Sequence, residues 1–286
     1  METKAFFDPN TYTLTFVAYD PESKDAVVID PVLDFNPLTW RTSQESAQQV
    51  QDFVREKSLK VHWVLDTHAH ADHLTGMEVL KEAFGAPTAI GDKITMVQNT
   101  FAQAYNFNHV KTDGSQWNEL LADGQKIQAG TLEIETLHTP GHTPACASYK
   151  IGDSVFTGDA LFLPDFGTGR CDFPAGSAED LYESVTSKLY TLPDSTKIFV
   201  GHDYQPGGRE IQWESTIGAS KESNIQLRAS TSKEQFIKFR TERDATLQPP
   251  NLILESLQVN IDAGRLPEPE GNGVRYFKMP INFLGS

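Results

Sequence analysis

Seven consecutive residues, Thr67-His68-Ala69-His70-Ala71-Asp72-His73, hold three imidazoles and a carboxylate. Neutral imidazole nitrogens and carboxylate oxygens are common ligands of divalent transition metals. Packed together without a cation, these groups would have to share protons and would face steep desolvation costs. The spacing therefore points to a metal site, against the blander reading of a fortuitous solvated loop. Three further polar positions follow β-like or glycine-marked turns: His142 in Thr139-Pro140-Gly141-His142-Thr143, Asp159 in Phe156-Thr157-Gly158-Asp159, and His202 in Gly201-His202-Asp203. Each is weak alone, since a Gly-Asp pair is far more often a turn than a ligand. Together they are candidates to converge with His68, the glycines letting the backbone bend tightly enough to aim them inward.

These residues need rigid elements to hold them. The apolar run 61–65 reads as a buried strand ending just before the histidines. Leu74, Met77, Leu80 and Phe84 then recur at near-helical spacing until Gly85 and Pro87. The heptad thus sits in a strand-to-helix turn, the crevice that ligand sites in α/β sheets favour. Upstream, 13–18 and 25–30 read as a hairpin, and 32–42 as a Pro- and Asn-containing connection. Thr42-Ser43-Gln44-Glu45 resembles a capping box opening a helix through Glu56. A short strand at 87–90 and a weakly patterned helix at 92–105 follow. Strands are expected at 125–128, 131–137, 145–150, 154–157 and 197–200, and a helix from Ser177 whose Leu181, Val185 and Leu189 face a core. Helices at 233–243 and 252–263 precede a Pro- and Gly-containing loop at 267–271. Two halves repeating one plan of strands then helices suggest two packed sheets between outer helices. The expected division is a catalytic domain, 1–230, with a helical extension, 231–286, packed on it.

A chain of 286 residues with 38% hydrophobic residues has enough apolar material for a real core, which excludes disorder as the default. Its net charge of −15 repels phosphate backbones and argues against a nucleic-acid partner. No apolar run is long enough for a spanning helix, and the start Met1-Glu2-Thr3-Lys4 lacks the pattern of a secretory signal. Cys146 and Cys171 cannot make a disulfide framework and fit a reducing compartment, so a cytoplasmic location is expected.

The ordered set His68-x-His70-x-Asp72-His73, His142, Asp159, His202 resembles the metal-site motifs of the metallo-β-lactamase superfamily over roughly residues 10–205. The resemblance implies an α/β fold, an αββα sandwich of two packed mixed β-sheets flanked by helices, with a metal site at the sheet edge. After Asp159 the chain reads Gly167-Thr168-Gly169-Arg170-Cys171-Asp172-Phe173. This is similar to the Gly-Arg-x-Asp-Phe element of persulfide dioxygenases (sulfur dioxygenases). The thioester hydrolases called glyoxalase II tend to have Gly-Arg-x-Phe-Glu-Gly instead. His202-Asp203-Tyr204 also matches the dioxygenase pattern. The inserted Leu163-Pro164-Asp165-Phe166 and the longer tail through Leu257-Gln258-Val259-Asn260-Ile261 resemble a bacterial branch.

That resemblance implies one iron(II) per chain held by His68, His142 and Asp159, with His70, Asp72, His73 and His202 standing behind as orienting residues. It implies a small thiol persulfide such as glutathione persulfide and O₂ as substrates. The electron count is coherent, because the outer sulfur gives up four electrons on becoming sulfite and O₂ accepts four. Arg170 would pair with a carboxylate of the thiol carrier, with an ion pair to Asp172 as the structural alternative. Asp172 and Tyr204 would line the same pocket. Cys171 as a sulfur relay is disfavoured, since an unperturbed thiol is mostly protonated at neutral pH. The competing readings are a two-zinc hydrolase of a glutathione thioester, in which His70, Asp72, His73 and His202 hold the second ion, and a metal-binding protein of the same fold without turnover. A homodimer through a sheet edge or the tail is the assembly the resemblance allows.

Overall fold

The computed structural model describes residues 1–282. Along the chain come β1 (Glu2–Asp8), β2 (Thr13–Tyr19), β3 (Asp25–Ile29), β4 (Val32–Asn36), β5 (Arg41–Ser43), α1 (Glu45–Glu56), β6 (Lys60–Leu65), β7 (Leu74–Thr75), α2 (Met77–Phe84), β8 (Thr88–Gly91), α3 (Ile94–Ala104) and β9 (Glu119–Leu121). Then follow β10 (Lys126–Ala129), β11 (Leu132–His138), β12 (Ala147–Ile151), β13 (Ser154–Gly158), α4 (Ala178–Ser187), β14 (Lys197–Val200), β15 (Glu214–Thr216), α5 (Ile217–Ser223), α6 (Lys233–Asp244) and α7 (Ile253–Asn260). Two mixed six-stranded sheets result, ordered β1-β2-β3-β6-β8-β9 and β10-β11-β12-β13-β14-β15, beside a small sheet β5-β4-β7. This is the expected αββα sandwich.

Residue alternation explains the layers. Leu14, Phe16 and Ala18 on β2 turn inward to Phe156 of β13 and Phe199 of β14, whereas Val17 and Tyr19 turn outward. Phe16 meets those two rings edge-on, at centroid distances of 5.4 and 5.5 Å. The outward face is covered by Val50 and Val54 of α1, Met77 and Leu80 of α2, Val97 and Phe101 of α3, and Leu257 of α7. Leu181 and Val185 of α4 and Phe236 of α6 join the core on the side of the second sheet. Strands buried on both faces read as continuous apolar runs, and β2 is buried at every position.

Two local expectations are corrected. Residues 32–42 are not a plain connection: β4 and β5 pair there, and β4 also pairs with β7. The capping box at 42–45 does not form, because Gln44 is the N-cap of α1 and its side chain caps nothing. Instead Asp34, on β4, accepts from the Ser46 amide at 2.9 Å and its hydroxyl at 2.6 Å, doing the capping from outside the helix. The strands β1, β9 and β15 and the short α5 lack a strong pattern of their own and form through their neighbours.

Candidate metal centre

Four loops at one edge of the sandwich carry the donors. His68 to His73 follow β6, His142 lies between β11 and β12, Asp159 follows β13 and His202 follows β14. Backbone bonds tie these loops together, across the two sheets from Ala147 N to Thr67 O and from Leu14 N to Gly201 O, both at 2.9 Å, and within the second sheet from Gly201 N to Gly158 O at 3.1 Å. The turn before His142 depends on Gly141, whose φ of 141° suits glycine and whose missing Cβ leaves room for the backbone of Leu181 on α4.

The ligating atoms fall into two groups. One consists of His68, His142 and Asp159, the other of His70, Asp72 and His73, and within each group the ligating atoms lie within 4.8 Å of one another. His202 sits between them, with Nε2 3.3 Å from Asp72 Oδ2 and 3.4 Å from Asp159 Oδ1. All these side chains are buried except that of Asp72, which is partly exposed.

Hydrogen bonding decides which ring nitrogen of each histidine keeps its lone pair. Asp30, at the end of β3, accepts from the Thr67 amide at 2.6 Å and the Thr67 hydroxyl at 2.9 Å. With that hydroxyl hydrogen engaged, His68 Nδ1–H donates to Thr67 Oγ1 at 3.0 Å and leaves Nε2 as a lone pair. His70 Nε2–H donates to Asp30 Oδ1 at 3.1 Å, which frees Nδ1. His142 Nδ1–H donates to the Arg170 carbonyl at 2.7 Å, which frees Nε2. His73 Nδ1–H donates to Thr13 Oγ1 at 3.2 Å, and Thr13 passes the chain through Thr11 to Asp8.

The atoms so freed on His68, His70 and His73 have no hydrogen-bond partner. His68 Nε2, His70 Nδ1, His73 Nε2, Asp72 Oδ2, Asp159 Oδ1 and both nitrogens of His202 are buried without a hydrogen-bond partner. Orphaned buried polar atoms are costly and rare, and so many on one spot fit a bound cation. The electrostatics agree. Burial holds His68 and His70 well below the usual imidazole range, reinforced by neighbouring imidazoles, so both stay neutral as ligands must. Burial opposes the charge on Asp72, but His202 and His73 overcome it and keep that carboxyl well below its ordinary range. Behind the donors, burial pushes Asp30 up to about 6 and Asp66 well above the carboxylate range. Asp30, Asp66 and His70 also lie close enough to one another to hold an ion. There, however, both Asp30 oxygens and His70 Nε2 are already engaged, so this group reads as support rather than a further cation position.

The remaining expected residues neighbour the donor loops. Arg170 grips both carboxylate oxygens of Asp172, and its Nη1 donates to the Gln248 carbonyl at 2.7 Å. The structural ion pair weighed from the sequence is therefore present. Tyr204 stacks on His202 with centroids 5.5 Å apart and rings 18° from parallel, and rests against Phe166 at 4.7 Å. Cys171 is buried and burial pushes its thiol up, so it is protonated and inert at neutral pH. Sequence reasoning passed over Asp30, Thr67, Thr13 and Asn260. Asp30 had one signal, a carboxylate closing an apolar strand; Asn260 had none.

Comparisons with known proteins follow the same lines. Residues 12–202 match the family model described as the metallo-beta-lactamase superfamily. A beta-lactamase hydrolase-like protein of Agrobacterium fabrum is 48% identical over 98% of this chain, which spans 65% of that relative's length. A protein of Dictyostelium discoideum named glyoxylase B2 is 45% identical, over 98% of this chain and 97% of its own. The mitochondrial persulfide dioxygenase ETHE1 of Bos taurus is 34% identical, over 91% of this chain and 88% of its own. The crystal structure of ETHE1 from Myxococcus xanthus superposes with a TM-score of 0.75 at 33% identity, covering 93% of this chain and all of that one. No helix among the described residues is long and apolar enough to cross a membrane.

Proposed function

The chain belongs to the metallo-β-lactamase superfamily, and from that membership we propose that it is an iron(II)-dependent dioxygenase of a small thiol persulfide. The balanced reaction is RSSH + O₂ + H₂O → RSH + SO₃²⁻ + 2H⁺. The outer sulfur rises from zero to plus four while O₂ takes up the four electrons. One observation carries this reading: two histidines and one carboxylate from three separate loops form a group of their own. Nearly full-length similarity to persulfide dioxygenases supports it.

His68, His142 and Asp159 would hold the ion, a two-histidine, one-carboxylate set. Iron(II) bound there supplies open coordination positions for both substrates and the redox change that couples them. The protein's part is positional. Thr67 and the Arg170 carbonyl fix the tautomers of His68 and His142, leaving Nε2 free to ligate in each. Asp30 fixes His70 through Nε2 and steadies the start of the loop through the Thr67 amide. Arg170 has donors to spare beyond Asp172 and Gln248, and would meet a carboxylate of the thiol carrier. Tyr204, over His202, would close the wall beside the sulfur.

A second reading has its own support. His70, Asp72 and His73 are equipped with unpaired atoms too, and a relative at 45% identity is named a glyoxylase. A two-zinc thioester hydrolase would use both groups.

Oxygen uptake by anaerobically iron(II)-loaded protein given glutathione persulfide separates the two, with sulfite and metal assayed together. Equal oxygen loss and sulfite gain, with about one iron per chain, is the expected result. Two zinc ions, no oxygen uptake and thioester cleavage would establish the hydrolase instead.

A further inference from the structure

Two helices beyond the stretch that matches the superfamily grip the metal-binding loops from behind. On α6, Arg240 and Asp244 form a buried ion pair, Nη2 to Oδ1 at 2.6 Å. Arg240 Nη1 donates to the carbonyls of Thr168 and Gly169, both at 3.3 Å, and Asp244 Oδ2 accepts from the Cys171 amide at 2.8 Å. Residues 168–171 are thereby fixed from outside. From inside, the same segment holds the first donor group. The Gly169 amide donates to the Asp159 carbonyl at 3.1 Å, and the Arg170 carbonyl receives His142 Nδ1–H at 2.7 Å. There is no slack, because a Cβ on Gly169 would run into the Asp159 carbonyl oxygen.

On α7, Asn260 is 1% exposed and serves the other group. Its side-chain amide donates to the His70 and His73 carbonyls, both at 2.8 Å, while Oδ1 accepts from the Thr75 amide at 2.8 Å. One side chain, nearly two hundred residues downstream, thus pins both ends of the segment that carries His70, Asp72 and His73.

We infer that Arg240, Asp244 and Asn260 are positioning residues through which two helices set the two donor groups separately. The α6 pair sets His68–His142–Asp159, and Asn260 on α7 sets His70–Asp72–His73. The inference rests on the metal-binding part of the reading above, not on iron or on a persulfide. Its physical basis is that a ligand set tolerates little backbone drift, and these side chains bond directly to main-chain atoms of both loops.

Cobalt(II) alone, titrated into the full chain without oxygen, tests this through affinity and absorption spectrum rather than turnover. His142→Ala and His73→Ala identify the bands and binding step of each group. Arg240→Met with Asp244→Leu removes the α6 contacts while replacing the buried pair by apolar side chains of similar size, which folds usually tolerate. The expected result is a 10- to 100-fold weaker first-group affinity with altered bands, the range typical of outer partners of a metal site. Asn260→Ala should do the same to the second group, each variant weakening its own group about 10-fold more than the other. Should the protein take one cobalt ion only, at the first group, Asn260→Ala must leave that affinity unchanged while the double variant weakens it. Equal weakening by both variants, or no change in either, overturns the inference. If Asn260→Ala does not fold, the double variant decides alone. A wild-type protein that consumed no oxygen would sink the dioxygenase reading and leave these measurements standing.

Discussion

The two donor groups lie side by side yet are built in opposite ways. His70, Asp72 and His73 come from one loop of consecutive residues, whereas His68, His142 and Asp159 come from the ends of three separate strands. The local group needs one turn to be right. The distributed group needs both halves of the second sheet in register, the turn at Gly141 and the segment around Gly169. Its geometry is therefore a property of the tertiary structure.

The largest test of that contrast compares His142→Ala with His73→Ala. Under the proposed function, His142→Ala abolishes iron binding and lowers oxygen uptake by well over ~100-fold, beyond the loss typical of supporting residues. His73→Ala keeps one iron per chain and loses about 10- to 100-fold. Equal loss of metal in both variants, measured by metal analysis, would erase the distinction between the groups.

Asp30→Asn comes next, since Asp30 touches both groups through Thr67 and His70. An expected ~10- to 100-fold loss of metal affinity, read by chelator competition, would mark Asp30 as their shared support. Gly141→Ala acts on the distributed group alone. A Cβ forced against Leu181 at a φ of 141° should lower stability by about 1–3 kcal/mol in a denaturant titration and weaken metal binding at His142, sparing the local group.

The smallest effect lies outside both groups. Asp25 bonds His62 Nε2 at 2.6 Å and the Thr131 amide at 2.9 Å, and these partners, His62 foremost, hold its carboxyl well below the usual range. A lowered folded-state pKa gives stability that is present above the unfolded value near ~3.9 and lost as pH falls below it. Asp25→Asn should therefore cost about 1 kcal/mol at neutral pH, flatten the stability curve below about pH 4 and leave metal content unchanged. A change in metal content would show that the donor groups feel more of the sandwich than their own loops.

Much of this was legible in particular residues. The run 61–65 and the heptad after it placed the histidines at a strand end, and β6 ends at Leu65. Ser177 marks a helix start in the sequence, and its side chain accepts from the Asp180 amide. By contrast, β4 and β5 were not legible, because a three-residue strand such as Arg41–Ser43 has no periodicity of its own and exists only by pairing. The cap of α1 is not legible for a related reason: Asp34 supplies it from another element.

By itself, the sequence determined which donor types are present, their order, and the alternation of apolar residues that forces two sheets to bury their inner faces. These are properties of neighbouring residues, and local sterics and burial act on them directly. Only the tertiary structure decided how six donors divide into two groups with His202 between them, which nitrogen of each histidine keeps its lone pair, and that Asp30, Arg240, Asp244 and Asn260 hold the loops. Each of those depends on hydrogen bonds between residues tens to nearly two hundred positions apart, and no local pattern in a chain encodes where such partners will meet.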